Sequence, residues 1–345
     1  MKYIIHFMPN AGGGTPKHVR DLQQLFPQYN HVIISNSMNL VNHLNQNHSS
    51  THRIHLHSAV NNNYTNVQWN IVPTLEQIHK QLPNIELLMT VHDYQWFMPN
   101  NPNPTREDFL SNVPSPQIIE ILTRLFDVMK TIIFPSKCLF QNYCMVMKMP
   151  IHKCPIVPHC DIPISATLPF VPSILDDEPI RIAFVGYYFH VKGSYLFDKL
   201  AEYLPNINNR KIEYHVFGEL HQRTPNLGKM ICHGIYQDEQ LVELLHQKRI
   251  HVVCHLSVAE ETFCYALSRT MQSKLPIFYI NRGSFKERLM KMNSDLYHSF
   301  ENGYEIIARL SNFINEKVIP QQGMNSVSVK GENNIIATDW YIKNY

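Results

Sequence analysis

The chain has 345 residues, 44% hydrophobic and 17% charged, with 30 basic against 28 acidic side chains. That length holds two domains of ordinary size, each with its own core, and the composition is that of a globular protein. A formal net charge of +2 gives no ground for nucleic acid or an acidic membrane surface as partner, and no apolar run approaches the roughly 20 residues that a membrane-spanning helix needs. Lys2 to Met8 reads as an apolar strand that runs into Pro9-Asn10-Ala11-Gly12-Gly13-Gly14-Thr15-Pro16. There Thr15 caps a helix with Pro16 at its first position, and Val19, Leu22 and Leu25 form the apolar face. Strand, glycine loop and helix bring backbone N–H groups to a ligand, or simply make a tight turn.

His31 to Ser35 reads as the second strand, and Asn36 to Asn63 as a polar stretch rich in Asn, His and Ser. His55 and His57, two apart, share a face if they lie on a strand; with His52 they suggest a metal site or ordinary packing, and packing is the expectation. A short helix is expected over 75–82. Glu86 to Val91 is an apolar strand ending in His92-Asp93-Tyr94, and ligands of α/β folds bind at such carboxyl ends. Residues 100–116, rich in Pro and Asn, read as a loop. Ile118, Leu122, Leu125 and Met129 mark a helix over 117–130; a strand over 131–134 and a helix over 137–147 follow. His152, Cys154, His159 and Cys160 lack the spacing of a closed tetrahedral site and are expected to be structural.

Four prolines from Ile162 to Pro179 mark an interdomain linker. Arg181 to Val185 starts the second half and ends at Gly186; Lys192-Gly193 then opens a helix with Leu196, Leu200 and Leu204 on its face. An ammonium at a helix start suits a diphosphate. Strands are expected over 212–217, 230–233 and 250–256, with a helix around Leu241, Leu244 and Leu245. After His255 come a loop with Glu260 and Glu261, an N-cap at Thr262, and a helix burying Phe263, Leu267 and Met271. The seven cysteines have no framework spacing and the apolar run at 3–8 is too short for a signal h-region, so reduced thiols and a cytoplasmic setting are expected. The polar tail over 321–336 reads as loop, and Trp340, Tyr341 and Tyr345 as an anchored last helix.

Glu261-Thr262-Phe263-Cys264-Tyr265-Ala266-Leu267-Ser268, with Pro276 after seven more residues, resembles the donor-site segment of retaining GT-B glycosyltransferases, family GT4. Gly12-Gly13-Gly14, His92-Asp93, Pro158-His159, Gly186 to Gly193, Gly234 and Gly283 to Leu289 are similar to further family motifs, in the same order. Arg269 stands where the family has a second, ribose-holding glutamate, Lys274 where it has a glycine, and Tyr187 where many relatives have an arginine.

The resemblance implies an α/β fold of GT-B architecture, with two Rossmann-like parallel-sheet domains facing a cleft. Residues 1–162 would be the acceptor side, 163–325 the donor domain, and 326–345 a tail and helix returning to the first domain. It implies a hexosyltransferase-like enzyme of polysaccharide biosynthesis. Such an enzyme would move a sugar, with retention, from a nucleotide-diphospho-sugar to a sugar, glycan or lipid-linked acceptor. No metal or resident cofactor is implied. His92 and Glu261 would be catalytic. Gly12, Gly13, Gly14, Gly186, Lys192, Gly193, Ile235, Tyr236, Phe263, Cys264, Tyr265 and Arg269 would bind the donor. Arg269 would pair with a phosphate or with Glu261. The alternative is a GT-B pseudoenzyme or nucleotide-binding protein without transfer activity, because an arginine cannot accept the ribose hydrogen bonds. A nicotinamide-dependent oxidoreductase lacks its G-x-G-x-x-G signature.

Overall fold

The computed structural model describes residues 2–9, 13–58, 68–98, 101, 103–159, 178–220, 227–292, 295–303, 305–318 and 334–345. Gly12, Cys160 and nearly all of the expected linker lie outside them. The chain divides into two compact units, residues 1–162 with 333–345, and residues 163–332.

The first unit carries a five-stranded sheet: β1 (Tyr3–Phe7), β2 (Asn30–Ile34), β3 (Thr51–Leu56), β4 (Glu86–Thr90) and β5 (Thr131–Ile133). The strand order is β2-β1-β3-β4-β5, with every pairing parallel. Helices α1 (Thr15–Leu25), α2 (Ser37–Asn47), α3 (Ile71–Gln81), α4 (Arg106–Ser111), α5 (Pro116–Val128) and α6 (Lys137–Val146) connect and flank the strands. A parallel sheet is covered on both faces, so its strands read as nearly continuous apolar runs. Ile5, Phe7, Leu87 and Met89 belong to a core shared with Leu40, Leu75 and Leu125. Ile4, Leu88 and Ile133 belong to a second, with Leu22 of α1, Phe26 just after it, Tyr341 of the C-terminal helix (Asn334–Asn344) and Tyr345 just beyond that helix.

Three sequence expectations change here. The polar stretch after Ser35 holds α2, whose N-cap is Asn36, with Oδ1 accepting from the Asn39 N–H at 2.8 Å. It also holds β3, an inner strand. Polar composition hid both, since α2 buries only Ser37, Leu40 and Leu44. Within 100–116, Thr105 and Asp108 form a reciprocal capping box that starts α4. Helix α1 is capped by Gly14 rather than Thr15, with no side-chain cap bond.

The second unit contains β6 (Ile180–Val185), β7 (Asn206–Ile207), β8 (Arg210–Phe217), β9 (Met230–Gly234), β10 (Val252–His255), β11 (Ile277–Ile280) and β12 (Tyr297–Phe300). Its helices are α7 (Ser194–Tyr203), α8 (Leu241–Gln247), α9 (Tyr265–Gln272), α10 (Gly283–Leu289) and α11 (Glu305–Phe313). The strand path is β12-β11-β10-β6-β8, with β9 on β8 and the two-residue β7 antiparallel to it. With β7 set aside, that is the doubly wound order 3-2-1-4-5-6. The first unit's order, 2-1-3-4-5, is the other common doubly wound form. Among the described residues, no helix is long and apolar enough to cross a membrane.

Candidate functional site

In doubly wound sheets the connections leaving two neighbouring strands in opposite directions open a crevice at their carboxyl ends. In the second unit those strands are β6 and β10. The chain leaving β6 makes a 3-10 turn at His190–Lys192 and passes Gly193 into α7. The chain leaving β10 folds over that turn: the Val258 N–H donates to the Val191 carbonyl at 3.0 Å, and Ser257 Oγ to the same carbonyl at 3.2 Å. Gly193 has φ +84°, and a Cβ there would overlap the Leu256 carbonyl, so glycine is required both by the backbone and by the close approach.

This crossing joins residues 69 apart: Lys192 Nζ donates to Glu261 Oε1 at 2.6 Å. Burial alone would raise the Glu261 pKa, but the Lys192 charge and hydrogen bonds from Lys192 and Ser257 hold it below the ordinary carboxylate value. Burial lowers the Lys192 pKa, and the Glu261 carboxylate more than offsets this, leaving it above the ordinary lysine value. Both groups are therefore charged at neutral pH.

Helix α10 clamps the loop that carries Glu261. The Ser284 N–H donates to the Glu261 carbonyl at 2.7 Å. Arg288 Nη1 donates to the carbonyls of Phe263 at 2.6 Å and Cys264 at 2.9 Å, and its guanidinium lies 4.4 Å from the centre of the Phe263 ring. Gly283 sits at φ +52°, and a Cβ there would stand 2.5 Å from the Glu261 nitrogen. The loop ends in Cys264, the N-cap of α9, which adopts φ 69° and makes no side-chain cap bond. The expected cap at Thr262 is thus two residues early, and the helix starts at Tyr265. Phe263 is buried ahead of the helix, packed by Arg288. Burial pushes the Cys264 thiol up to about 11, so it is protonated at neutral pH.

Arg269 pairs with Asp238. Its Nε donates to Asp238 Oδ2 at 2.8 Å, and its side chain is 1% exposed against 19% for Asp238. Asp238 lies in the connection from β9 to α8, past Gly234, Ile235 and Tyr236. Ile235 is 76% exposed, while Tyr236 is half-buried and its hydroxyl is pushed up by burial. Gly186 stands at φ +120°, Tyr187 beside it is exposed, and its ring stacks on Phe189. Lys274 holds φ 58° just past the end of α9, a left-handed cap that favours glycine. Asp238 and Ser257 carry no motif and are placed by the tertiary structure alone, while Arg288 lies in the Gly283 to Leu289 segment and its partners come from the tertiary structure.

The first unit has its own switch point between β1 and β3. His18 of α1, His57 after β3 and His92 after β4 converge there, and all three are buried. His92 Nε2 lies 3.1 Å from His57 Nδ1, His57 Nε2 lies 3.0 Å from His6 Nδ1, and His6 Nε2 lies 2.9 Å from His31 Nδ1. His31 Nε2 lies 2.9 Å from the Phe26 carbonyl, which can only accept. With every ring neutral, that anchor sets each tautomer in turn, so His92 Nε2 donates to a lone pair on His57 Nδ1. Burial pushes His6 and His92 down to about 3 and His57 well below its ordinary value, which favours the neutral chain. Burial also raises Asp93 to about 7, although its Oδ1 accepts from the Gln95 N–H at 2.8 Å.

His55 and His57 do share a face, with ring centres 3.9 Å apart, while His52 stacks on Tyr29 elsewhere. His159 joins the cluster 4.4 Å from the His18 ring, whereas Cys154 bonds to the Pro150 carbonyl and His152 is exposed. Gly13 takes φ +67°, and Gly14 caps α1. The six described cysteines are free thiols.

Solved structures of similar architecture include glycosyltransferases. HepE of Anabaena, solved with UDP and glucose, superposes with a TM-score of 0.63 at 12% identity over 99% of this chain and 96% of its own. Sucrose-phosphate synthase of Thermosynechococcus elongatus gives 0.64 at 11% identity over 99% and 95%. AviGT4, a glycosyltransferase of avilamycin A biosynthesis, gives 0.51 at 11% identity over 99% and 96%. No family model and no curated protein matches the sequence. The chain therefore has the GT-B fold, with two Rossmann-like α/β units.

Proposed function

We propose that this GT-B chain is a glycosyltransferase that takes a sugar from a nucleotide-diphospho-sugar. The observation that carries this reading is the charged Lys192–Glu261 pair at the β6/β10 switch point. A diphosphate arriving there takes over the Lys192 ammonium, and the helix start at Gly193 adds its partial positive charge. Lys192 then offsets charge as it develops on the leaving diphosphate, without need of a metal ion. Glu261, released from Lys192, accepts hydrogen bonds from sugar hydroxyls, and the α10 clamp keeps it in register. The UDP and glucose bound by HepE make UDP-hexoses the first donors to test. The resemblance adds retention of configuration, a sugar, glycan or lipid-linked acceptor, and a sugar contact by His92. Asp238, fixed by Arg269, supplies a carboxylate that position 269 itself lacks.

The test is a thermal-shift panel of nucleoside diphosphates and their sugars, followed by release of the nucleoside diphosphate to water or added acceptors. A ligand at 100 times its dissociation constant stabilises by about 2.7 kcal/mol. One responding base, weakened in Lys192→Met, with release lost in Glu261→Gln, is the expected result. A flat panel refutes the reading. Binding without release from any donor favours the pseudoenzyme, the reading to which a buried Arg269 in place of a glutamate lends weight.

A further inference from the structure

We propose that His18, His57 and His92 form a site for a divalent transition metal, Zn²⁺ first among them, in the first unit. Each offers a nitrogen within 4.8 Å of the other two, with His18 and His57 fully buried and His92 nearly so. The inference is independent of the donor site, which lies in the other unit.

Three observations single out this trio. First, neither ring nitrogen of His18 has a hydrogen-bond partner among the described residues, although the side chain is 0% exposed. A buried polar group without a partner is costly and calls for an explanation. A metal ion supplies one, since a neutral imidazole is a ready transition-metal ligand. The other histidine trio, His6, His55 and His57, has no such vacancy: His55 lies 2.7 Å from both Tyr345 Oη and Thr90 Oγ1, and His6 bonds to His57 and His31.

Second, the distances suit the ion. Zn–N bonds of about 2.0–2.1 Å in a tetrahedron place ligand nitrogens about 3.4 Å apart. His57 Nδ1 and His92 Nε2 already face each other at 3.1 Å. The ion takes the place of the proton between them, and His92 moves that proton to Nδ1, so none is released. His18 then closes the remaining distance by turning a ring that no hydrogen bond to the described residues holds. His57 Nε2 keeps His6 as its outer partner at 3.0 Å, the support that metal-bound imidazoles ordinarily have. Third, the trio occupies the switch point of its sheet, where α/β folds bind ligands. Three histidines leave a fourth position open to water or an acceptor group, as in zinc sites that do chemistry.

The experiment uses the full chain without a histidine tag, stripped with chelator and then titrated with Zn²⁺ and with Co²⁺. One Zn²⁺ per chain is expected, with a shell of nitrogen and oxygen at about 2.0 Å carrying three imidazoles in X-ray absorption. The Co²⁺ form should show the intense visible bands of a four-coordinate ion. His18→Gln should weaken binding at least tenfold, and His52→Gln should leave it unchanged. The wild-type absorption measurement stands even if His18→Gln fails to fold. A chain that holds no stoichiometric metal at micromolar Zn²⁺ overturns the proposal. So does a shell without imidazole, or equal binding by a folded His18→Gln protein.

Discussion

Replacing Arg269 by Glu installs the residue that the GT4 motif resembled by this segment carries, yet the structure predicts that the change damages this chain. The Arg269 side chain is 1% exposed and donates through Nε to Asp238 Oδ2 at 2.8 Å, with Nη2 at the same distance. Breaking a buried pair by removing one partner costs about 3–5 kcal/mol, because it strands a charge away from water. Arg269→Glu goes further and sets two carboxylates against each other. For a unit of this size, 1 kcal/mol lowers the melting temperature by about 2–4 °C, so the single variant should melt roughly 10 °C or more below the parent. Asp238→Asn keeps shape and a hydrogen-bonding group and should cost less, since Asp238 is 19% exposed. The charge-swapped double variant, Arg269→Glu with Asp238→Arg, should regain a large part of the loss. Melting curves of the parent, Arg269→Glu, Asp238→Arg and their double variant form a cycle whose coupling energy should exceed about 1 kcal/mol. An Arg269→Glu protein that melts within 2 °C of the parent, or a cycle with no coupling, would falsify the account of Arg269 as half of a buried ion pair.

Lys192→Met should weaken binding of a nucleoside diphosphate by about 1.5–3 kcal/mol, read by calorimetry; unchanged affinity removes the ammonium from the diphosphate site. Lys274→Gly should stabilise the chain by about 1 kcal/mol, because Lys274 holds φ 58° where a Cβ is disfavoured; urea melts that show a loss refute this. Gly193→Ala should be far more damaging than Gly234→Ala, since both hold positive φ but only Gly193 faces the Leu256 carbonyl. The acid response follows from the histidines. His6 and His92 titrate near 3 in the folded chain against 6.5 unfolded. Between those values the unfolded chain binds more protons, so the stability they contribute is full above pH 6.5 and falls as pH drops toward 3. Each such histidine costs up to about 1.4 kcal/mol per pH unit in that window, and a melting temperature that does not change between pH 7 and pH 5 contradicts the neutral buried cluster.

Periodicity and turn chemistry were enough to read most strands, the α5 and α7 helices, and the doubly wound class, because burial on both faces of a parallel sheet forces apolar strands in any sequence that folds this way. The Lys192-Gly193 helix start and the glutamate ahead of α9 were also legible, since glycine and charge at a helix end are local features. Sequence alone underread α2 and β3, where asparagines and histidines mask a narrow apolar stripe, and it put the α9 cap at Thr262, because a strained Cys264 has no local signature. What only the tertiary structure decided was partnership. Lys192 meets Glu261 because β6 and β10 are neighbours in the sheet although 66 residues of chain separate Val185 from Val252 in numbering order. Arg269 turns to Asp238 because the β9–α8 connection passes beside α9. Histidines scattered from position 6 to position 159 become one cluster because β1, β3 and β4 end on the same edge. Strand order is set by long-range packing, and spacing along the chain carries no record of it.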